Sequence, residues 1–244
     1  MDIQQASEEL REKHYCHLAD FGEGIQVGPA EAQSFRGYWS NLVRDEAYKA
    51  YTHRERRILR YHLLPGGRLR LNKEVDFISP VIYPVDYRKG TNVLSYAEEG
   101  FISHAITRQI LAVDIGMAVA QFGDRAFSID IHQFRVKADG NACSPTTSGI
   151  HQDGLDWVSM HFIGTSNAQP VLSEVYANDD VQSRVLSVPL ERFLDTLVVH
   201  DRMVYHRAGE VRQVDGAAPA WRDMLVVGMR CLPDDLGGTC HDAR

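Results

Sequence analysis

The chain has 244 residues, of which 44% are hydrophobic and 24% charged. That is a globular composition, which excludes disordered, collagenous and membrane-embedded classes and allows a single large core. A formal net charge of −7 gives no general attraction to nucleic acid, and the one basic cluster, "HRERRILRYH" (53–62), alternates with Ile58, Leu59 and Tyr61 in a way that suits a strand with one charged face.

In chain order, residues 2–14 and 29–50 read as helices. The second opens on Pro29, which suits a first helical turn, and carries Phe35, Tyr38, Trp39, Leu42 and Val43 at three- and four-residue spacings. Strand-like runs follow at 57–64 and 67–71, then a Pro- and Tyr-rich loop at 79–96; the stretch 83–100 is long enough to act as a lid. A third helix is expected over 101–121, closed by Gly123.

From about residue 127 the texture changes. "FSIDIHQFRVKA", "DWVSMHFIG", "PVLSEVYAN", "SRVLSVPL", "DTLVVHDRMVYHRA" and "WRDMLVVGMRC" are short alternating or β-branched runs separated by turn-forming clusters. Such runs without intervening helices indicate antiparallel strands in a sandwich or barrel. The expected fold is α+β: one domain with a mainly helical part (1–125), a double-stranded β-helix or jelly-roll core (126–230) and a C-terminal tail (231–244).

Cys16, Cys143, Cys231 and Cys240 form no C-x-x-C pair, so no disulfide framework or zinc knuckle is indicated. The N-terminal stretch lacks a basic segment followed by an apolar run, and no apolar stretch is long enough to span a bilayer. A cytoplasmic protein without membrane or nucleic-acid partners is expected.

"HQD" places His151 and Asp153 two positions apart at the mouth of a strand. On extended backbone such residues share a face, so imidazole and carboxylate can reach one ion. With 11 histidines in the chain, about one such pair arises by chance, so the motif needs a third ligand. His206, in "RMVYHRAG", supplies it. Two histidines and a carboxylate leave coordination positions open, as in non-heme Fe(II) oxygenases. Arg222 opens the apolar run "AWRDMLVVGM"; it reads either as a solvated surface residue paired with an acid such as Asp223, or as a bidentate grip on the far carboxylate of a dicarboxylate.

The order H-x-D, distant His, then Arg resembles the Fe(II)/2-oxoglutarate-dependent dioxygenases. Residues 128–230 resemble the bacterial free-amino-acid hydroxylases of the L-isoleucine 4-hydroxylase type, through "IHQFRVKADG", "GIHQDGLDWVSMHFIGTSN", "LDTLVVHDRMVYHRAGEV" and "AWRDMLVVGMR". This resemblance implies iron at His151, Asp153 and His206, and 2-oxoglutarate held at Arg222, with O2 as second co-substrate and ascorbate as reductant in vitro. It also implies C–H hydroxylation of a small free L-amino acid or cyclic imino acid, a reaction that serves natural-product pathways. His161 matches a family histidine that is a strand residue and not an iron ligand. The chain departs from the family pattern directly after H-x-D, at Gly154, Leu155, Asp156 and Trp157, so the substrate stays open.

For the substrate, Gln133 and Arg135 are expected to face inward, Arg135 to its carboxylate or to a structural ion pair. Trp157 is a candidate pocket wall or core residue, and Asp156 and Glu174 are candidate partners for an amine or solvated surface. Two alternatives remain at this stage: a cupin-like isomerase or hydrolase using the same triad, and a non-enzymatic small-acid binder. The oligomeric state is also open, a homodimer included.

Overall fold

The computed structural model describes residues 2–46, 52–72, 95–146 and 149–233. Helix α1 (Ile3–Lys13) is capped by Asp2, whose carboxylate accepts from the N–H groups of Gln4 and Gln5. It is followed by β1 (Tyr15–Leu18), the short α2 (Phe21–Gly24) and α3 (Pro29–Arg36).

Helix α3 stops well short of residue 50. Gly37–Trp39 form a 3-10 turn, and the chain continues into a two-residue strand, β2 (Val43–Arg44). The cause is Trp39: its side chain is fully buried and its Nε1 donates to the carbonyls of Phe134 (3.0 Å) and Met224 (3.3 Å), drawing the chain onto the sheet. Strands β3 (Arg54–Leu64) and β4 (Arg68–Asn72) follow. Of the expected loop at 79–96, residues 79–94 lie outside the described residues; Ser95 and Ala97 are hydrogen-bonded to Ile58 of β3.

The expected helix over 101–121 is two helices, α4 (Glu99–Ser103) and α5 (Ala105–Phe122). His104 breaks them: its backbone is extended and its Nδ1 accepts from Ile106 N–H, so it caps α5. At the other end Gly123 takes φ +85°, which ends α5 as expected.

The remaining strands are β5 (Phe127–Ala138), β6 (Trp157–Ser166), β7 (Leu172–Ala177), β8 (Arg184–Pro189), β9 (Thr196–Val199), β10 (Val204–Ala208) and β11 (Ala220–Cys231). The run at 195–208 is thus two strands. Every pairing between these described strands is antiparallel. The large sheet has the order β1-β9-β6-β11-β5-β3-β2, with β4 also on β3, and the small sheet the order β10-β7-β8. This is the jelly-roll core expected from the sequence.

Two apolar layers flank the large sheet. On one face Leu10, Phe35, Trp39, Phe101 and Ile110 from the helical half pack on Phe127, Ile129, Ile131, Trp157, Leu225 and Val227. Between the two sheets Val158, Phe162, Val175, Leu197, Val199 and Val204 form a smaller core. Side chains alternate along each strand, so even-numbered residues of β5 and β11 face the small sheet and odd-numbered ones face the helices. No described helix is long and apolar enough to cross a membrane.

Candidate active site

His151, Asp153 and His206 converge at one end of the space between the sheets. Their ligand atoms all lie within 4.8 Å of one another. His151 Nε2 is 3.6 Å from Asp153 Oδ1, and His206 Nε2 is 3.4 Å from Asp153 Oδ2. The H-x-D pair stands on a loop and not on a continuous strand. His151 and His206 exchange both backbone hydrogen bonds (3.0 and 2.9 Å), which fastens that loop to β10. Gly154 then turns with φ +74°, a conformation that favours glycine, before β6 begins.

The groups behind the triad orient it. His151 Nδ1 is 2.9 Å from the carbonyl of Gly149, which can only accept, so Nδ1 carries the proton and Nε2 offers its lone pair to the centre. The fully buried Asp201 accepts from the N–H groups of Asp153 and Leu155, both at 2.9 Å, and its Oδ1 lies 3.4 Å from His206 Nδ1. Burial alone would raise the Asp153 carboxyl, but the two imidazoles hold it well below the usual carboxylate range. Burial likewise opposes charging of His206, yet Asp153 and Asp201 hold its pKa up at about 10. Two carboxylates around one imidazole favour positive charge at this spot, and the N/O donor set without thiolate fits a divalent iron with open positions.

The triad opens into a cavity of about 180 Å³ between the sheets. His132, Phe134 and Val136 of β5, Met224 and Val226 of β11, and Ser173 of β7 line it. Arg222 lies on its wall, buried, with Nη2 3.5 Å from Ser173 Oγ and its guanidinium 5.9 Å from the Phe162 ring centroid. Burial lowers its pKa to about 10, so it remains a cation at neutral pH. Its sequence neighbour Asp223 points to the opposite face, where it pairs with Arg135. Among the described residues no carboxylate forms an ion pair with Arg222.

The other expected contacts do not meet this cavity. Gln133 and Arg135 are on the helix-facing side of β5, and Arg135 grips Asp223 with two 2.7 Å hydrogen bonds while stacking 4.4 Å over Trp221. Alternation separated the two faces correctly, but the inward-facing pair is His132 and Phe134. Trp157 is fully buried in the helix–sheet core. Asp156 pairs with Arg202 and accepts from Cys231 N–H, and Glu174 pairs with Arg184 and with Tyr176 Oη. His161 is a satisfied core histidine, with Nε2 3.0 Å from Asp114 and Nδ1 2.8 Å from Thr196 Oγ1.

Sequence reasoning missed Arg54, Arg56 and His132, which line the cavity. The first two are the charged face of the "HRERRILRYH" strand. Their spacing was visible, but its direction was not. The stretch 83–94 of the expected lid, and residues 234–244 with Cys240 and His241, lie outside the described residues.

An antiparallel jelly roll carrying two histidines and one carboxylate that could hold a metal is an arrangement compatible with non-heme metal-dependent oxygenases. The 2OG-Fe dioxygenase family matches residues 36–228, and the chain belongs to that family. The family uses Fe(II) and 2-oxoglutarate. Among solved structures, the chain is similar to IDO from Bacillus thuringiensis, with 17% identity, TM-score 0.79 and 96% of each chain covered. A bsmA homologue from Methylobium petroleophilum PM1 has 20% identity and TM-score 0.79, over 95% of this chain and 94% of that one. The Fe(II)/(alpha)ketoglutarate-dependent dioxygenase TqaL has 17% identity and TM-score 0.73, over 98% and 90%. No curated protein matches the chain by sequence.

Proposed function

We propose that the protein hydroxylates an unactivated C–H bond of a small free L-amino acid or cyclic imino acid, with 2-oxoglutarate oxidised to succinate and CO2. His151, Asp153 and His206 hold the iron, and Arg222 holds the distal carboxylate of 2-oxoglutarate. The observation that carries this reading is that the triad and a buried guanidinium, which no described carboxylate pairs, share one small cavity. A buried charge without a counter-ion is costly, and a dicarboxylate co-substrate supplies that counter-ion with bidentate geometry.

Bound iron with 2-oxoglutarate and dioxygen supplies the oxidising power of the reaction. The chain's own residues do the positioning. Gly149 fixes the His151 imidazole through Nδ1, Asp201 places a carboxylate behind His206, and Asp153 is kept ionised by its neighbours. Leu155, Val158, Met160, Met224 and Val226 give the cavity an apolar lining that limits water near the metal. At about 180 Å³ the space among described residues is below the roughly 300–1,000 Å³ of pockets for drug-sized ligands, which favours a small substrate over a peptide. The carbon held against the iron is the one hydroxylated, so the walls set regiochemistry.

The test is incubation of the Fe(II)-loaded protein with 2-oxoglutarate, ascorbate, O2 and a panel of amino acids that includes cyclic imino acids. Mass spectrometry should find one product heavier by an oxygen atom, formed in step with succinate. Succinate formation that no panel member accelerates would refute the amino-acid substrate.

A further inference from the structure

Four arginines line the cavity. Arg54 and Arg56 bond to Asp45, and Arg222 lies beside Ser173. Arg230 stands apart from these: it is the last cavity-facing residue of β11, and its Nε is buried without a hydrogen-bond partner. The carboxylates near it are engaged elsewhere. Asp130 turns both oxygens to Arg60, Asp153 belongs to the triad, and Asp156 pairs with Arg202. Among the described residues no carboxylate forms an ion pair with Arg230.

The strand register places Arg230 relative to the metal centre. Val226 of β11 stands opposite His132 of β5, on which the charge of Asp153 acts, so this row marks the triad. Arg222 and Arg230 lie four residues to either side of it on the same face, roughly 13 Å each way along the strand. The loop that carries His151 and Asp153 is tied down at the Arg230 end. Asp156 N–H donates to the Met229 carbonyl at 2.9 Å, and Asp156 Oδ2 accepts from Cys231 N–H at 2.8 Å, so the two bonds bracket Arg230. Leu155 covers Gly228, where a Cβ would stand 2.5 Å from Leu155 Cδ1. Leu155 and Gly228 thus form an apolar floor between the triad row and Arg230.

A solvated arginine keeps its N–H groups in water. The Nε of Arg230 is shielded from water and unpaired, a cost that a bound anion offsets, and the edge formed by Nε and one Nη nitrogen matches a carboxylate with two parallel hydrogen bonds. A 2-oxoglutarate held at Arg222 lies on one side of the triad row. The space on the other side ends at Arg230.

We infer that Arg230 binds the carboxylate of the substrate, at the end of the cavity opposite Arg222. This rests on the function proposed above and assigns to the end of β11 the role that alternation had offered to Arg135. The substrate is then selected as an anion, with its carbon chain laid over Leu155 and Gly228 toward the triad.

The test uses the Fe(II)-loaded protein with saturating 2-oxoglutarate under argon, titrated calorimetrically with L-amino acids and cyclic imino acids, each paired with its primary amide. Wild type should bind the best acid at least about tenfold tighter than its amide. Arg230→Gln should weaken the acid by about 10- to 100-fold, erase the acid-over-amide preference and leave 2-oxoglutarate affinity within about twofold; Arg230→Lys should recover part of the loss. Equal binding of acid and amide by wild type overturns the inference without any variant. An Arg230→Gln protein that keeps the preference, or that loses 2-oxoglutarate and keeps the acid, overturns it as well. Wild type that binds 2-oxoglutarate normally but no acid of the panel refutes the amino-acid reading itself, and the inference falls with it.

Discussion

Arg222 and Asp223 are consecutive residues on opposite faces of β11, and the two faces treat charge differently. On the helix-facing side Asp223 and Arg135 satisfy each other with two short hydrogen bonds, and Trp221 covers the guanidinium. Asp114, through Oδ2, joins Ser159 and His161, and His161 joins Thr196, in a buried hydrogen-bonded network there. On the cavity side Arg222 reaches Ser173 Oγ at 3.5 Å, and the triad turns two imidazole nitrogens toward one carboxylate. Polar groups that close on one another hold the fold, and polar groups that converge on shared space recognise ligands. Proximity in sequence to the H-x-D motif does not separate the two kinds.

That contrast is open to direct attack. Asp153→Ala removes the donor between the two imidazoles; it should abolish stoichiometric iron binding and all succinate formation while leaving the thermal transition in place, as metal analysis after desalting and a melting curve would establish. Trp157→Ala attacks the other face. It should cost about 3–5 kcal/mol in denaturant unfolding, yet leave 2-oxoglutarate affinity of the folded fraction unchanged. A pocket wall would give the reverse pattern, loss of affinity with little loss of stability.

Smaller effects sharpen the comparison. Asp201→Asn keeps the shape but removes the charge behind His206, and should weaken Fe(II) binding by about 10- to 100-fold in a chelator competition. Arg202→Ala breaks a half-exposed ion pair with Asp156. The change should cost less than about 1 kcal/mol and leave substrate KM alone. A KM shift there would return Asp156 to the substrate pocket.

Much of this was legible in the chain. Short alternating runs after residue 127 gave away the jelly roll, because a half-buried strand must alternate. His151 and Asp153 were legible as candidate ligands from their i, i+2 spacing, while their assignment with His206 to one iron site rested on the resemblance to the Fe(II)/2-oxoglutarate-dependent dioxygenases. Helix 29–50 was read too long because Trp39, at good helical spacing, is used to hydrogen-bond the sheet, a tertiary contact that local periodicity does not register. The substrate side was misread for a related reason. Alternation shows that Gln133 and Arg135 oppose His132 and Phe134, but which face meets the second sheet depends on packing partners far away in sequence. The same ambiguity hid Arg54 and Arg56, whose charge looked like a solvated strand face until β3 was seen beside β5 with its even-numbered residues inward.

The most direct measurement is an anaerobic titration of the Fe(II)-loaded protein with 2-oxoglutarate, followed by the visible iron-to-ligand charge-transfer band. Wild type should develop the band and saturate at one 2-oxoglutarate per chain. Arg222→Gln should need roughly 30-fold or more 2-oxoglutarate for the same signal, the equivalent of about 2 kcal/mol or more for an unpaired charge, and His206→Ala should give no band. A wild-type protein without the band, a band that survives in His206→Ala, or an Arg222→Gln titration that overlays wild type would contradict the account.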